Sequence, residues 1–174
     1  MQKRIIGVCS LLVAGAVGYA VAGQVMEMSK PGADFHTVKS LEDQGKALLI
    51  EAGKTPGGSA TGQLEKYPGH FTSLTARTKS GGAELHRRWN DIFVAVDGEA
   101  VVITGGKMVN PKDSAVDEQR GTSVEGGESH TMHKGDVLHI STNTPHQTTV
   151  PAGKTFTYYV VKVEDPTWKA PAAK

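Results

Sequence analysis

Cysteine is almost absent from this 174-residue chain: one thiol, Cys9, is all it has. One thiol cannot form an internal disulfide framework or a thiolate zinc cluster. An excess of either charge is lacking too, with 19 basic and 18 acidic residues and a formal charge of +1. That balance argues against nucleic acid or an anionic membrane surface as a partner and leaves a neutral or small charged ligand open. No nucleophile elbow, phosphate-cradling glycine loop, catalytic carboxylate pair, repeat or second domain is evident. Gly57-Gly58 and Gly126-Gly127 suit turns better than phosphates.

Apolar sequence is concentrated at the start. Lys3 and Arg4 precede an apolar core from Ile5 to Gly18, and Ala20-Val21-Ala22 resembles a small-residue cleavage site before Gly23. This reads as an export signal over residues 1–22, placing the protein in a periplasmic or secreted setting with no stable membrane association after cleavage. The competing reading is an uncleaved anchor, since Ile5 to Ala22 is near the lower limit for crossing a bilayer. Removing the first 22 of 174 residues leaves 152, one domain's worth, without any thiol and with 17 basic against 18 acidic residues.

Residues 23–69 form an N-terminal extension with one helical pattern, at about 35–52. Val38, Leu41, Leu48, Leu49 and Ala52 fall near helical spacing, and Gly45 interrupts it at a cost of about 1 kcal/mol. Thr55-Pro56-Gly57-Gly58-Ser59 then turns the chain. From His70 to Val163 the texture is all-β. Ile92–Val96 and Ala100–Thr104 read as a hairpin across Asp97-Gly98, and Thr148–Val150 and Thr155–Val163 as a second across Pro151–Lys154. Lys107–Glu128 reads as a long connection with one or two short strands, and 164–174 as a loose tail. Short strands with frequent turns and a single packing helix predict a sandwich or barrel.

The chemistry-bearing residues lie in two stretches. His86-Arg87-Arg88-Trp89-Asn90-Asp91 leads to Gly98, and Gly135-Asp136 leads to Pro145-His146. Two imidazoles and a carboxylate can hold a first-row divalent metal with positions open for a substrate. The arrangement His86-x-Arg88-x2-Asp91-x6-Gly98 resembles the first cupin motif, which reads His-x-His, a short spacer, Glu, six residues and Gly. Gly135-x5-Ser141-x-Asn143-x2-His146 is similar to the second, which usually has Pro and Gly where Ser141 and Asn143 stand. The resemblance covers about His70 to Val163. It implies a cupin-like β-barrel or jelly roll, a pairing of barrels into a homodimer, and metal ligands His86, Asp91 and His146 at the barrel mouth. Arg88 stands where the second histidine would be.

Two readings of Arg88 stay open. It shares a strand face with His86 and clamps a substrate carboxylate or phosphate beside Fe, Mn, Ni or Zn; or it pairs with Asp91 and the metal is lost. His139 is a candidate extra ligand or outer partner, and Trp89 a candidate substrate-orienting ring. His130 and His133 read as loop histidines, His36 and His70 as surface or packing residues. The functional expectation is an exported single-domain cupin acting on or binding a small oxygen-rich molecule, anionic or neutral. The alternative is a metal-free binding module. Dioxygenase, isomerase, decarboxylase and lyase classes are all compatible if it is an enzyme.

Overall fold

The computed structural model describes residues 27–171; the expected export segment, with Cys9, lies outside the described residues. The helix starts where the Thr37 hydroxyl accepts the Ser40 N–H at 3.0 Å, so α1 runs Val38–Lys54 and leaves Phe35 and His36 before its cap. It buries Gly45, Leu48 and Ala52, three or four residues apart. Leu48 packs with Leu74, Ala76 and Val96 of the sheet, flanked by Leu41, Leu64 and Tyr159. A Cβ on Gly45 would lie 2.6 Å from Thr157 Cγ2. The residue that weakens the helix is therefore its point of closest approach to the sheet.

Among the described residues twelve strands follow: β1 (Ser59–Tyr67), β2 (His70–Arg77), β3 (Ala83–His86), β4 (Trp89–Thr104), β5 (Lys107–Val109), β6 (Lys112–Ala115), β7 (Glu118–Gly121), β8 (Ser123–Glu125), β9 (Glu128–His133), β10 (Val137–Ile140), β11 (His146–Thr149) and β12 (Phe156–Glu164). The main sheet runs β1-β2-β12-β4-β11-β3-β7-β6, with β9 and β10 also paired to β4; β5 and β8 form a separate ribbon. The long strand β4 belongs to both halves. Its first half pairs with β12 and β10, its second with β9 and β11. One strand serving two sheets curls the antiparallel array into a barrel, with alternate residues pointing inward.

Gly98 is the corner of that strand. Its φ is +80°, and a Cβ there would sit 2.0 Å from the Thr155 carbonyl oxygen, beside a register shift against β12. Asp97-Gly98 is thus a bend within β4 and not a hairpin turn, because the flanking runs pair with other strands. For the same reason β11 and β12 are not a hairpin. The sheet also begins earlier than expected, since β1 pairs along β2 from Ser59 to Tyr67. Lys107–Glu128 holds four short strands, and His130 and His133 lie on β9 rather than in a loop. The described start of the segment after β12 is tied down: Asp165 N–H donates to the Arg88 carbonyl at 2.8 Å.

Beneath the barrel mouth, Phe93, Phe156, Tyr158 and Val160 pack with Ala100, Val102, Met132 and Ile140. Phe93–Tyr158 and Phe156–Tyr158 ring centroids are each 4.8 Å apart. At about 1.5–3 kcal/mol per fully buried large side chain, this floor fixes β4 and β12 as the rigid walls of the site. No helix among the described residues is long and apolar enough to cross a membrane.

Candidate metal centre

Strand register brings the polar residues together. Glu84 and His86 lie at the end of β3, and Glu84 pairs directly with His146, the first residue of β11. Asp91 on β4 pairs directly with Lys162 on β12. Cross-strand partners lie about 4.5–5.5 Å apart at Cβ, so side chains on one face must meet. The His86 and His146 rings lie 5.4 Å apart. Asp91 Oδ2 is 3.4 Å from His86 Nε2 and 3.5 Å from His146 Nε2. Glu84 Oε2 is 3.6 Å and 4.0 Å from the same two nitrogens.

Both Nε2 atoms are buried and have no hydrogen-bond partner. An unpaired buried polar atom normally costs about 1–3 kcal/mol, so two aimed at one point require a reason. His146 Nδ1 lies 3.1 Å from the Thr144 carbonyl. A carbonyl can only accept, so Nδ1 carries the proton and Nε2 presents a lone pair. Burial is also the largest influence on this ring, pushing its pKa down and keeping it neutral despite Asp91 and Glu84. Burial alone would raise the Glu84 carboxyl, but His86, Arg120 and His146 outweigh it and hold Glu84 well below the usual carboxylate range. Glu84, His86 and His146 form a group able to hold a metal ion, with one donor atom from each within 4.8 Å of the others.

Each carboxylate has one oxygen engaged by a cation. Arg120 Nη1 donates to Glu84 Oε1 at 2.5 Å, leaving Oε2 toward the histidines. Lys162 Nζ lies 2.5 Å from Asp91 Oδ1, a close ion pair without hydrogen-bond alignment, leaving Oδ2 toward them. These groups open into a cavity of about 580 Å³.

The structure thus gathers His86, Asp91 and His146, and adds Glu84, which the sequence pattern did not single out. Counted from Glu84, the first motif reads Glu84-x-His86-x4-Asp91-x6-Gly98, which puts His86 at the second histidine position and Glu84 at the first. The signal was the spacer, which is short only when Arg88 is taken as a member. Arg88 is a correction. Strand β3 ends at His86, so alternation does not extend to Arg88, which donates to Glu164 at 2.9 Å and lies between Trp89 and Trp168, 4.6 and 4.9 Å from their centroids. It neither faces the centre nor pairs with Asp91. His139 is a second correction: it is exposed on β10, between Leu138 and the inward-packed Ile140. Trp89 does line the cavity, edge-on to Phe71 at 5.1 Å. His130 bonds Thr104 at 2.9 Å, His36 bonds Glu65 at 2.7 Å, and His70 stacks on Tyr67.

No family model matches the chain, and no curated protein matches it. Among solved structures, it is similar to a cupin 2 conserved barrel domain protein from Salinispora arenicola (19% identity, 63% of this chain and 78% of that one, TM-score 0.44). It is also similar to a cupin superfamily protein from Desulfitobacterium hafniense (13%, 62% and 78%, 0.45) and to the polyketide cyclase RemF from Streptomyces resistomycificus (12%, 67% and 73%, 0.43). The curled antiparallel sheet, with the two motif stretches meeting inside it, agrees with the barrel that the resemblance of those motifs implies.

Proposed function

We propose that this chain is a metal-binding cupin whose ion is held by His86, His146, Asp91 and Glu84, and that it takes a small oxygen-rich anion at that centre. The observation that carries this is the pair of buried, unpartnered Nε2 atoms converging with two carboxylate oxygens. Two nitrogens and two oxygens of this kind suit Fe, Mn, Ni or Zn. A bound divalent ion would polarise a substrate oxygen or activate a bound water. The residues supply the rest: the Thr144 carbonyl holds the His146 tautomer, Arg120 and Lys162 each hold one oxygen of a ligand carboxylate, and Trp89 and Phe71 wall the cavity.

The second reading is a metal-free binding barrel, and Lys162 favours it: an ammonium already faces Asp91. Elemental analysis of untagged protein separates the two. Wild type should hold close to one metal per chain. His86→Ala, His146→Ala and Asp91→Ala should lose most of it, Glu84→Gln should lose part, and His130→Ala should keep it. Full retention in the first three ends the metal reading. Export, read from residues 1–22, is tested by N-terminal sequencing of protein from the exported fraction; a chain beginning at Gly23 is expected.

A further inference from the structure

We propose that Arg77, at the inner end of β2, is the anion anchor of this cavity, and that its ligand is a small hydroxylated carboxylic acid. The guanidinium is mostly buried and lines the cavity wall. Its Nε donates to the Tyr158 hydroxyl at 3.1 Å, which fixes the plane of the fork. Among the described residues nothing accepts a hydrogen bond from its terminal NH2 groups. The one ion pair there among the described residues is with Glu84 Oε1 at 3.7 Å, beyond hydrogen-bond distance and already taken by Arg120. A guanidinium with a fixed plane and free terminal donors matches a carboxylate, which accepts two parallel N–H bonds. The Tyr158 oxygen accepts from Arg77, so its own proton is left for the ligand.

Glu84 links this anchor to the metal centre. One of its oxygens is the Arg77 neighbour and the other faces the histidines, so a carboxylate on Arg77 would be separated from the residues that would hold the ion by the Glu84 carboxylate alone. The wall below Arg77 specifies the rest of the ligand. Register sets Ser59 beside Arg77, Thr61 beside Thr75 and Gln63 beside Ser73, all on the cavity side. Thr61 and Thr75 bond each other at 2.9 Å, whereas the Ser59, Gln63 and Ser73 side chains have no protein partner among the described residues. Rungs repeat about every 6.6 Å along a strand, so an acid of about four to six carbons reaches from the fork to the first hydroxyl rung. Such a ladder favours hydroxyl groups over an alkyl chain.

Charge points the same way and rests on the metal reading above. The cavity lining carries Glu84, Asp91, Asp117 and Glu118 against Arg77, Arg120 and Lys162. A divalent ion turns that net of −1 into +1, which one carboxylate neutralises.

The test titrates D-gluconate, L-tartrate and D-galacturonate, with uncharged D-glucitol as control, into zinc-loaded and chelator-treated protein by calorimetry. Zinc affinity is measured separately. At least one acid should bind wild type on the order of tenfold more tightly than glucitol. Arg77→Met should remove that advantage, and Arg77→Lys should recover only part of it, while both keep zinc affinity within about threefold of wild type. Tyr158→Phe tests the same fork without removing it and should weaken the acids severalfold. In wild type, where no variant needs to fold, the Arg77 guanidinium ¹⁵N signals should shift with an acid and not with glucitol. Equal binding of acids and glucitol, or unchanged acid affinity in Arg77→Met, overturns the proposal. A wild type that takes up no zinc but binds an acid through Arg77 refutes the metal and leaves the anchor standing.

Discussion

Lys162 is where the two readings of the site make opposite demands, so Lys162→Met is the most informative substitution. The Asp91 side chain is 2% exposed, and the ammonium of Lys162, whose side chain is 18% exposed, lies 2.5 Å from its Oδ1. Without metal, this ammonium is the only full positive charge among the described residues in contact with Asp91; its other neighbours are the two imidazoles at 3.4 and 3.5 Å. Breaking a buried pair by removing one partner costs about 3–5 kcal/mol. Partial exposure of Lys162 moves the figure to the lower end, about 3 kcal/mol. For a domain of this size that is a fall in Tm of roughly 6–12 °C. A bound divalent ion would supply the lost counter-charge through Oδ2. In saturating zinc the deficit should therefore shrink to about 1 kcal/mol. Linkage then requires the difference, about 2 kcal/mol, to appear as roughly 30-fold tighter zinc binding in the variant. Thermal melts of chelated and zinc-loaded protein read the first quantity, and a competitive zinc titration reads the second. The same loss of Tm with and without zinc, or weaker zinc binding in Lys162→Met, would refute the argument that the ammonium and the ion share Asp91.

Arg88→Ala should leave metal content unchanged and lower stability by about 1–2 kcal/mol, since it loses one half-exposed ion pair and two ring contacts; elemental analysis and a denaturant midpoint check both. Gly98→Ala forces a positive φ on a residue with a Cβ and drives that atom to 2.0 Å from the Thr155 oxygen. A loss of at least about 3 kcal/mol is expected by denaturation. The metal-free protein should lose stability on acidification from pH 7 to 5. His146 has its pKa lowered by burial, so between that value and about 6.5 the unfolded chain binds the proton more tightly, and stability falls as pH falls. His146→Gln should flatten that slope in melts recorded across the window.

Much of the centre was legible because cross-strand meetings are announced by residue type: two histidines and an acid beside glycine corners leave few other roles. What escaped did so for definite reasons. Glu84 and Arg88 stand two residues either side of His86, so strand parity, which repeats every two residues, gives both the same face. Only the end of β3 at His86 separates them. Past that point Arg87 and Arg88 follow a turn, and Arg88 is captured by Glu164, Trp89 and Trp168, whose proximity depends on where β12 ends. Asp97-Gly98 misled in a similar way. A positive-φ glycine after an acid is what a two-residue hairpin needs, and it is equally what a strand needs to change sheets at a bulge. Local chemistry is identical in the two cases; the partners of the flanking residues differ, and those are β12 on one side and β9 and β11 on the other. Arg77 and Lys162 were invisible for a stronger reason. Neither belongs to a motif, and each matters only through the residue its strand sets beside it: Arg77 through Tyr158 and Glu84, Lys162 through Asp91. Asp91 can therefore be read from the chain, whereas Glu84, and the cations Arg120 and Lys162 that engage one oxygen of each carboxylate, can be read only from strand register.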